Sequence, residues 1–162
     1  MIDVTITAQP PAPLHAFEIW SHAKAVAKRF EVETGFALPK LGQAAGKDGL
    51  HLIRYEPTVW LVEGDVTPLA PVLGGDGALT AIGGGIVRVA VAGPGWRRLL
   101  MEGGVFDAES PAFGPGCSAA TIIDHVNVRL HVTGADQCIA YVPSSYAQGM
   151  IHFWESTASG PA

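Results

Sequence analysis

Alternating apolar and polar residues predict β-strands along most of the chain. The segments "IDVTIT" and "LHAFEIW" both have the period of two that is typical of a half-buried strand. "LHLIRYE" and "TVWLVEG", split by Pro57, predict a hairpin, and "GALTAIGGG" predicts another strand or its turn. Four further strands are predicted in the second half, at "GIVRVAVAG", "CSAATIIDHV", "NVRLHVTG" and "QCIAYVP".

Three segments predict helices. Ser21 is the expected cap of a helix through "HAKAVAKRFEVET", which carries its apolar residues on one face and ends at Gly35. A short helix is expected in "PGWRRLLMEGG", between a proline and two glycines. Ser145 and Gln148 form a capping-box pattern that predicts a final helix through "YAQGMIHFWES".

Strands and helices alternate without a regular βαβ pattern, which predicts an α+β fold of antiparallel sheets with helices on one face. The second half, read as β-α-β-β-β-α, resembles a ferredoxin-like sandwich. A chain of 162 residues fits a single domain, 1–162. We expect a β-rich half at 1–82, a ferredoxin-like half at 85–156 and a disordered tail at 157–162.

Composition favours a partner protein. Charged residues make up 15 % of the chain, against about 25 % in a typical soluble domain. A small domain with so few charges is expected to bury some of its apolar surface against another chain. The net charge of −5 argues against nucleic-acid binding. No apolar run reaches about 18 residues and no secretory signal is visible, so we expect no membrane association and a cytoplasmic location.

The stretch "FGPGCSAATIIDHVNVRLHV" at 113–132 gathers residue types that bind metals or catalyse reactions. In one continuous strand, His125 and His131 share a face but lie roughly 20 Å apart, too far to ligate one metal ion. A turn near Val126 and Asn127 would bring them into neighbouring strands, although even then no third ligand is evident. We therefore predict a strand pair with one polar face and no metal site.

Other catalytic and cofactor interpretations are weaker than their structural alternatives. A nucleophilic Cys117 assisted by His125, as in a hydrolase or transferase, has no support beyond composition, and Cys117 and Cys138 are expected to be small buried residues. "GQAAGKD" at 42–48 has the wrong spacing for a phosphate-binding loop and predicts a flexible connection. We assign no catalytic, cofactor-binding or metal-binding residue to this chain.

Aromatic and arginine side chains are the remaining candidates, as contacts to a partner. The final helix carries more large apolar residues than one face can hold, and Trp, Tyr and Arg are common at the energetic centres of interfaces. The candidate interface residues are Trp96, Arg97, Arg129, Tyr146, Phe153 and Trp154.

Three segments in order carry a family resemblance: "VRVAVAGPGWRRLLMEGGVFD", "FGPGCSAATIIDHVNVRLHV" and "YVPSSYAQGMIHFW". Together they resemble the gamma subunit of heterotetrameric sarcosine oxidase, a small relative of the aminomethyltransferase folate-binding fold. The resemblance covers about residues 85–156, and "LHLIRYEPTVWLVEG" also fits it. Ser144 stands where the resemblance leads us to expect an arginine, so the N-methyl substrate stays open.

The resemblance implies a non-catalytic structural subunit of a flavoenzyme complex that oxidatively demethylates sarcosine or a related N-methyl amino acid. The implied partners are large and medium flavoprotein subunits and a small zinc subunit. FAD, FMN, NAD, tetrahydrofolate and zinc are implied for those partners and none for this chain. The alternative is a free-standing protein that binds a folate-type small molecule.

Overall fold

The computed structural model describes residues 1–160, in which the chain forms two compact units. Ala12–Gly83 form one, which we call the insert unit. The other unit, which we call the terminal unit, consists of Met1–Pro11 together with the described residues from Gly84 onward. The elements in chain order are β1 (Thr5–Ala8), β2 (Leu14–Ile19), α1 (Ala23–Thr34), β3 (Gln43–Lys47), β4 (Leu50–Arg54), β5 (Val59–Glu63), α2 (Leu69–Leu73), β6 (Gly77–Ala81), β7 (Ile86–Ala92), α3 (Trp96–Met101), β8 (Ser118–Ile123), β9 (Val126–Gly134), β10 (Gln137–Pro143) and α4 (Ser144–Ser159).

The terminal unit is one antiparallel sheet in the order β1-β7-β10-β9-β8. Because side chains alternate along a strand, every second residue of these strands points to the same face. That face packs against α3 and α4 in a core of Val89, Val91, Leu130, Val132, Ala140, Val142, Leu99, Leu100, Ala147, Met150 and Trp154, among others. The predicted arrangement of helices on one face of an antiparallel sheet is confirmed here.

The insert unit holds a second five-stranded antiparallel sheet, in the order β3-β4-β5-β2-β6. Helices α1 and α2 contribute Val26, Phe30, Leu69, Val72 and Leu73 to its core. Phe17 lies edge-on to both Phe30 and Trp60, with ring centroids 6.1 and 5.9 Å away, respectively. Such edge-to-face contacts between aromatic rings add to the stability gained from burial alone.

Residues 42–48 were expected to be a flexible connection, and that prediction is wrong. Gln43–Lys47 form strand β3, which pairs residue by residue with β4. The two-residue turn of Asp48 and Gly49 carries φ angles of 52° and 83°, the left-handed conformation that tight hairpins favour. The Gly-Ala-rich strand lacks the apolar alternation that would have indicated it.

Helix boundaries agree with the sequence at the C-terminus of α1, where Gly35 adopts φ 75° and its N–H donates to the carbonyl of Glu31. Both predicted N-caps are wrong. His22 occupies the N-cap of α1, while the Ser21 hydroxyl donates to Asp76 instead. In α4 the strand-ending Pro143 is the N-cap, because β10 leads into the helix without a turn.

The predicted division of the chain needs two corrections. Strand β1 pairs with β7 and so belongs to the terminal unit, whereas the sequence placed it in the half at 1–82. Residues 157–159, assigned to a tail, are the last turn of α4. The N–H of Ile2 donates to the carbonyl of Ala158 at 2.7 Å, which ties this turn to the start of the chain. Residues 161 and 162 of the predicted tail lie outside the described residues.

Candidate interaction surfaces

Two of the six candidate interface residues are core residues. Trp96 and Trp154 are 1 % and 0 % exposed and belong to the terminal unit's core. The Trp96 indole N–H donates to the carbonyl of Ala135 at 3.0 Å, whereas the buried Trp154 indole N–H has no hydrogen-bond partner among the described residues. Neither side chain is available to a partner.

Arg97 has a structural role. Its guanidinium stacks 4.2 Å from the centre of the Trp96 ring and donates to the carbonyls of Ala108 and Phe113, the latter at 2.7 Å. These contacts fasten the segment between α3 and β8 to the helix. The segment forms only scattered turn hydrogen bonds, and the arginine adds two further bonds to its backbone carbonyls.

The other three candidates lie at different places on the terminal unit. Tyr146 is 57 % exposed on the first turn of α4, and Phe153 is half-buried on the same helix near Gly103. Arg129 is half-buried in β9, opposite Tyr141 in the sheet register. The six candidates therefore do not form one surface.

The stretch at 113–132 is a β-hairpin. Asp124 and His125 form its two-residue turn, with φ of 45° and 65°, and Ile123 pairs with Val126 across it. The predicted strand pair is therefore confirmed, with the turn two residues before the position near Val126 and Asn127 that the sequence suggested. His125 lies at the exposed tip, whereas His131 is buried in the body of β9.

The hairpin also separates Cys117 from His125. Cys117 precedes β8 and His125 follows it, so their backbones are about 25 Å apart at the usual rise of a strand. The Cys117 thiol donates to the carbonyl of Ala112 at 3.2 Å and packs against the core, on the opposite side of the sheet from His131. A Cys117–His125 pair has no geometric basis.

Cys138 is equally unsuited to nucleophilic chemistry. It is fully buried, and burial raises the pKa of its thiol to about 12. Because the thiolate is the reactive form, the side chain stays neutral and inert at physiological pH. Within residues 1–160, no three His, Cys, Asp or Glu side chains are grouped so as to hold a metal ion.

The insert unit carries a surface feature that sequence reasoning missed. Helices α1 and α2 flank an open groove of about 450 Å³, lined by Ala25, Lys28, Arg29, Val32, Glu33, Pro71 and Val72. Val32 is 79 % exposed, and Trp20, just before α1, is 65 % exposed. Val32 falls outside the stripe formed by the buried Val26 and Phe30. An apolar residue on the polar side of the helix was the feature of the sequence that could have indicated this surface.

A cluster of polar contacts fixes one end of this groove. The Asp76 carboxylate accepts hydrogen bonds from Ser21 Oγ at 2.9 Å, His22 Nδ1 at 2.8 Å and Arg29 Nη2 at 2.7 Å. These bonds hold the pKa of Asp76 well below its usual range, and the bond from His22 has the largest effect, followed by that from Arg29. The backbone carbonyl of Asp76 also accepts the N–H of Trp20 at 2.7 Å. The N-terminal end of α1 is thus anchored to the turn that follows α2.

In the described part of the chain, no helix has the length and apolar character needed to cross a membrane.

The comparisons with known proteins identify a fold. No protein-family model matches the chain, and no curated protein matches its sequence. Among solved structures, a chain of heterotetrameric sarcosine oxidase from Corynebacterium sp. U-96, in complex with pyrrole 2-carboxylate, superposes with a TM-score of 0.84 at 18 % identity. The match covers 98 % of this chain and 87 % of that one.

A second solved structure is aminomethyltransferase T of the glycine cleavage system from Bartonella henselae, with a TM-score of 0.68 and 16 % identity. The match covers 94 % of this chain but only 45 % of the aminomethyltransferase, so this chain spans less than half of that enzyme's length. The chain therefore has the aminomethyltransferase-like α+β fold, with two antiparallel five-stranded sheets and four helices within the described residues. The predicted resemblance to sarcosine oxidase is confirmed at the level of this fold.

Proposed function

We propose that this chain is a non-catalytic, gamma-type subunit of a heterotetrameric complex resembling sarcosine oxidase. The observation that carries the proposal is the near end-to-end match with a chain of such a complex, over 98 % of one and 87 % of the other. A match of that extent relates this chain to a whole small subunit and not to one domain of a large enzyme chain. The motifs quoted from the sequence point to the same subunit independently.

In this account the complex oxidises the N-methyl group of sarcosine or a related N-methyl amino acid in the cytoplasm. Its flavoprotein subunits carry FAD, FMN and NAD and use tetrahydrofolate, and its smallest subunit carries zinc. The residues of this chain give the proposal indirect support. The Cys117 and His125 that sequence reasoning singled out lie at opposite ends of β8, and Cys138 is buried with a raised thiol pKa.

The alternative is an independent protein that binds a folate-type molecule, which the similarity to an aminomethyltransferase over 94 % of this chain favours. Isothermal titration of the purified full chain with tetrahydrofolate separates the two functions. As a subunit without a ligand site, the chain is expected to release no binding heat with tetrahydrofolate, FAD or FMN. Saturable micromolar binding of tetrahydrofolate by the isolated chain would overturn the subunit proposal in favour of the alternative.

A further inference from the structure

The groove between α1 and α2 combines an apolar lining with an exposed valine. Ala25, Val32, Pro71 and Val72 supply apolar lining, and Val32 is more exposed than a valine in a packed helix normally is. Exposed apolar side chains that cluster beside a groove are typical of surfaces that bind another protein. A partner segment with an apolar face would fit this lining.

The charges beside the groove are basic toward the N-terminal end of α1, whereas Glu33 lines the groove toward the C-terminal end of the same helix. Lys24, Lys28 and Arg29 are three of the chain's ten basic residues, and the first two turns of α1 contain no acidic residue. Among the described residues neither Lys24 nor Lys28 forms an ion pair, and both are exposed. Cations near the N-terminus of a helix oppose the helix dipole, so this arrangement costs the isolated helix stability.

The groove is also preformed. The Arg29 guanidinium donates through Nε to the carbonyl of Val72 at 2.8 Å and through Nη2 to Asp76 at 2.7 Å. These two bonds connect α1 to the C-terminal end of α2 and to the turn beyond it. A partner that enters the groove thus meets walls that are already fixed, which lowers the entropy cost of binding.

We propose, as an extension of the function proposed above, that this groove receives an acidic amphipathic helix from a larger subunit of the complex. The apolar side chains of that helix would pack on Val32 and Pro71, and its carboxylates would pair with Lys24 and Lys28. Twelve residues of α1 span about 18 Å, the length of roughly three turns of a second helix laid alongside. Docking of one amphipathic helix into a groove between others is a common mode of recognition.

Site-specific photo-crosslinking in the assembled complex identifies the occupant. A photoreactive p-benzoylphenylalanine replaces Val32, the complex is isolated through a tag on this chain, and the crosslinked peptide is sequenced by mass spectrometry. Val105 is the matched control, since it is 78 % exposed against 79 % for Val32 and lies in the terminal unit. We expect the photoreactive residue at position 32 to capture an acidic amphipathic segment of a larger subunit. The same photoreactive residue at position 105 should not capture that segment.

Charge reversal tests the electrostatic part of the proposal. Lys28→Glu is expected to weaken association with the partner subunit by about tenfold at low salt, with a smaller effect at high salt, because charges at an interface rim act through long-range attraction. Lys40→Glu makes the same change of charge at an exposed lysine outside the groove and is expected to leave the affinity within about twofold. Equal effects of the two variants would contradict the proposal.

The outcomes separate this inference from the function on which it rests. Three results would overturn the groove proposal while leaving the subunit function intact, provided that the complex assembles. The photoreactive residue at position 32 captures no peptide, it captures a second copy of this chain, or it captures a segment that has no acidic residues. Capture of the same peptide by Val105 also overturns it, since the contact is then not specific to the groove. If no complex is recovered, both proposals fail.

Discussion

Arg29 Nη2 lies 2.7 Å from Asp76 Oδ2, while Nε of the same guanidinium donates to the carbonyl of Val72 at 2.8 Å. One side chain thus connects α1 to the end of α2 and to the residue just before β6. Ser21 and His22 add two hydrogen bonds to the same carboxylate. Asp76 is therefore the polar centre that holds the helices of the insert unit beside its sheet.

The first prediction concerns the pH dependence of this centre. A carboxyl group with a lower pKa in the folded state stabilises the fold above its unfolded pKa of about 3.9, and the contribution disappears as the pH falls toward the folded pKa. Asp76 is such a group. Asp76→Asn is expected to lower the free energy of unfolding at pH 7, with a smaller difference from wild type at pH 3, as measured by urea denaturation.

The matched control is Asp136→Asn, because the Asp136 side chain makes no hydrogen bond or ion pair within the described residues. The free energy of unfolding of this variant should differ little from that of wild type at both pH values. A difference for Asp76→Asn that is the same at pH 7 and pH 3 would show that the carboxylate's charge does not stabilise the fold.

The second prediction contrasts two tryptophans. Trp96→Ala removes a fully buried indole from the terminal unit's core and is expected to cost about 3–5 kcal/mol of stability. Trp20→Ala alters an indole that is 65 % exposed and is expected to change stability by less than about 0.5 kcal/mol. Thermal or chemical denaturation measures both, and Trp96→Phe replaces Trp96→Ala if the latter does not fold. Similar costs at the two positions would contradict the assignment of Trp96 to the core.

The third prediction concerns thiol reactivity. Cys138 is fully buried with a pKa raised to about 12, whereas Cys117 is half-buried at the start of the hairpin. In native protein at pH 8, a maleimide is expected to label Cys117 and to leave Cys138 unmodified until the chain is unfolded. The variants Cys117→Ala and Cys138→Ala each keep one cysteine, so the labelling rate of each thiol can be measured separately. Equal labelling of both native thiols would be inconsistent with the burial of Cys138.

The fourth prediction compares a glycine that has room for a side chain with one that does not. An added Cβ at Gly149, in the middle of α4, meets nothing within 4 Å, so Gly149→Ala should stabilise the protein by about 0.5–1 kcal/mol through helix propensity. At Gly64 the φ angle is 102° and a Cβ would lie 1.9 Å from the carbonyl oxygen of Gly49. Gly64→Ala should therefore be destabilising by more than about 1 kcal/mol. Denaturation curves give both values, and stabilisation at Gly64 would refute this backbone geometry.

The sequence predicts the fold class and most elements because most strands alternate clearly and α1 has a clear apolar stripe. It does not predict β3 or α2. Strand β3 owes its conformation to pairing with β4, and α2 has five residues with Pro71 among them, too few for a periodic signal. The hairpin tip lies at Asp124 and His125, two residues before the turn that the sequence suggested near Val126 and Asn127.

The candidate interface was harder to predict than the fold. Trp96 and Trp154 were chosen for residue type, but their burial depends on contacts with strands distant in the sequence. Val32 was overlooked because a single valine on a charged helix is common in sequences. Its significance depends on α2 lying beside it, which is a tertiary relationship.

The measurement that tests the central proposal most directly is purification of the tagged chain from the cells that express it, with the absorption spectrum and subunit masses of the eluate recorded together. We expect a yellow complex containing two larger flavoprotein chains and a small zinc-containing chain, and this complex should oxidise sarcosine or another N-methyl amino acid. A colourless eluate that contains this chain alone would contradict the assignment as a subunit.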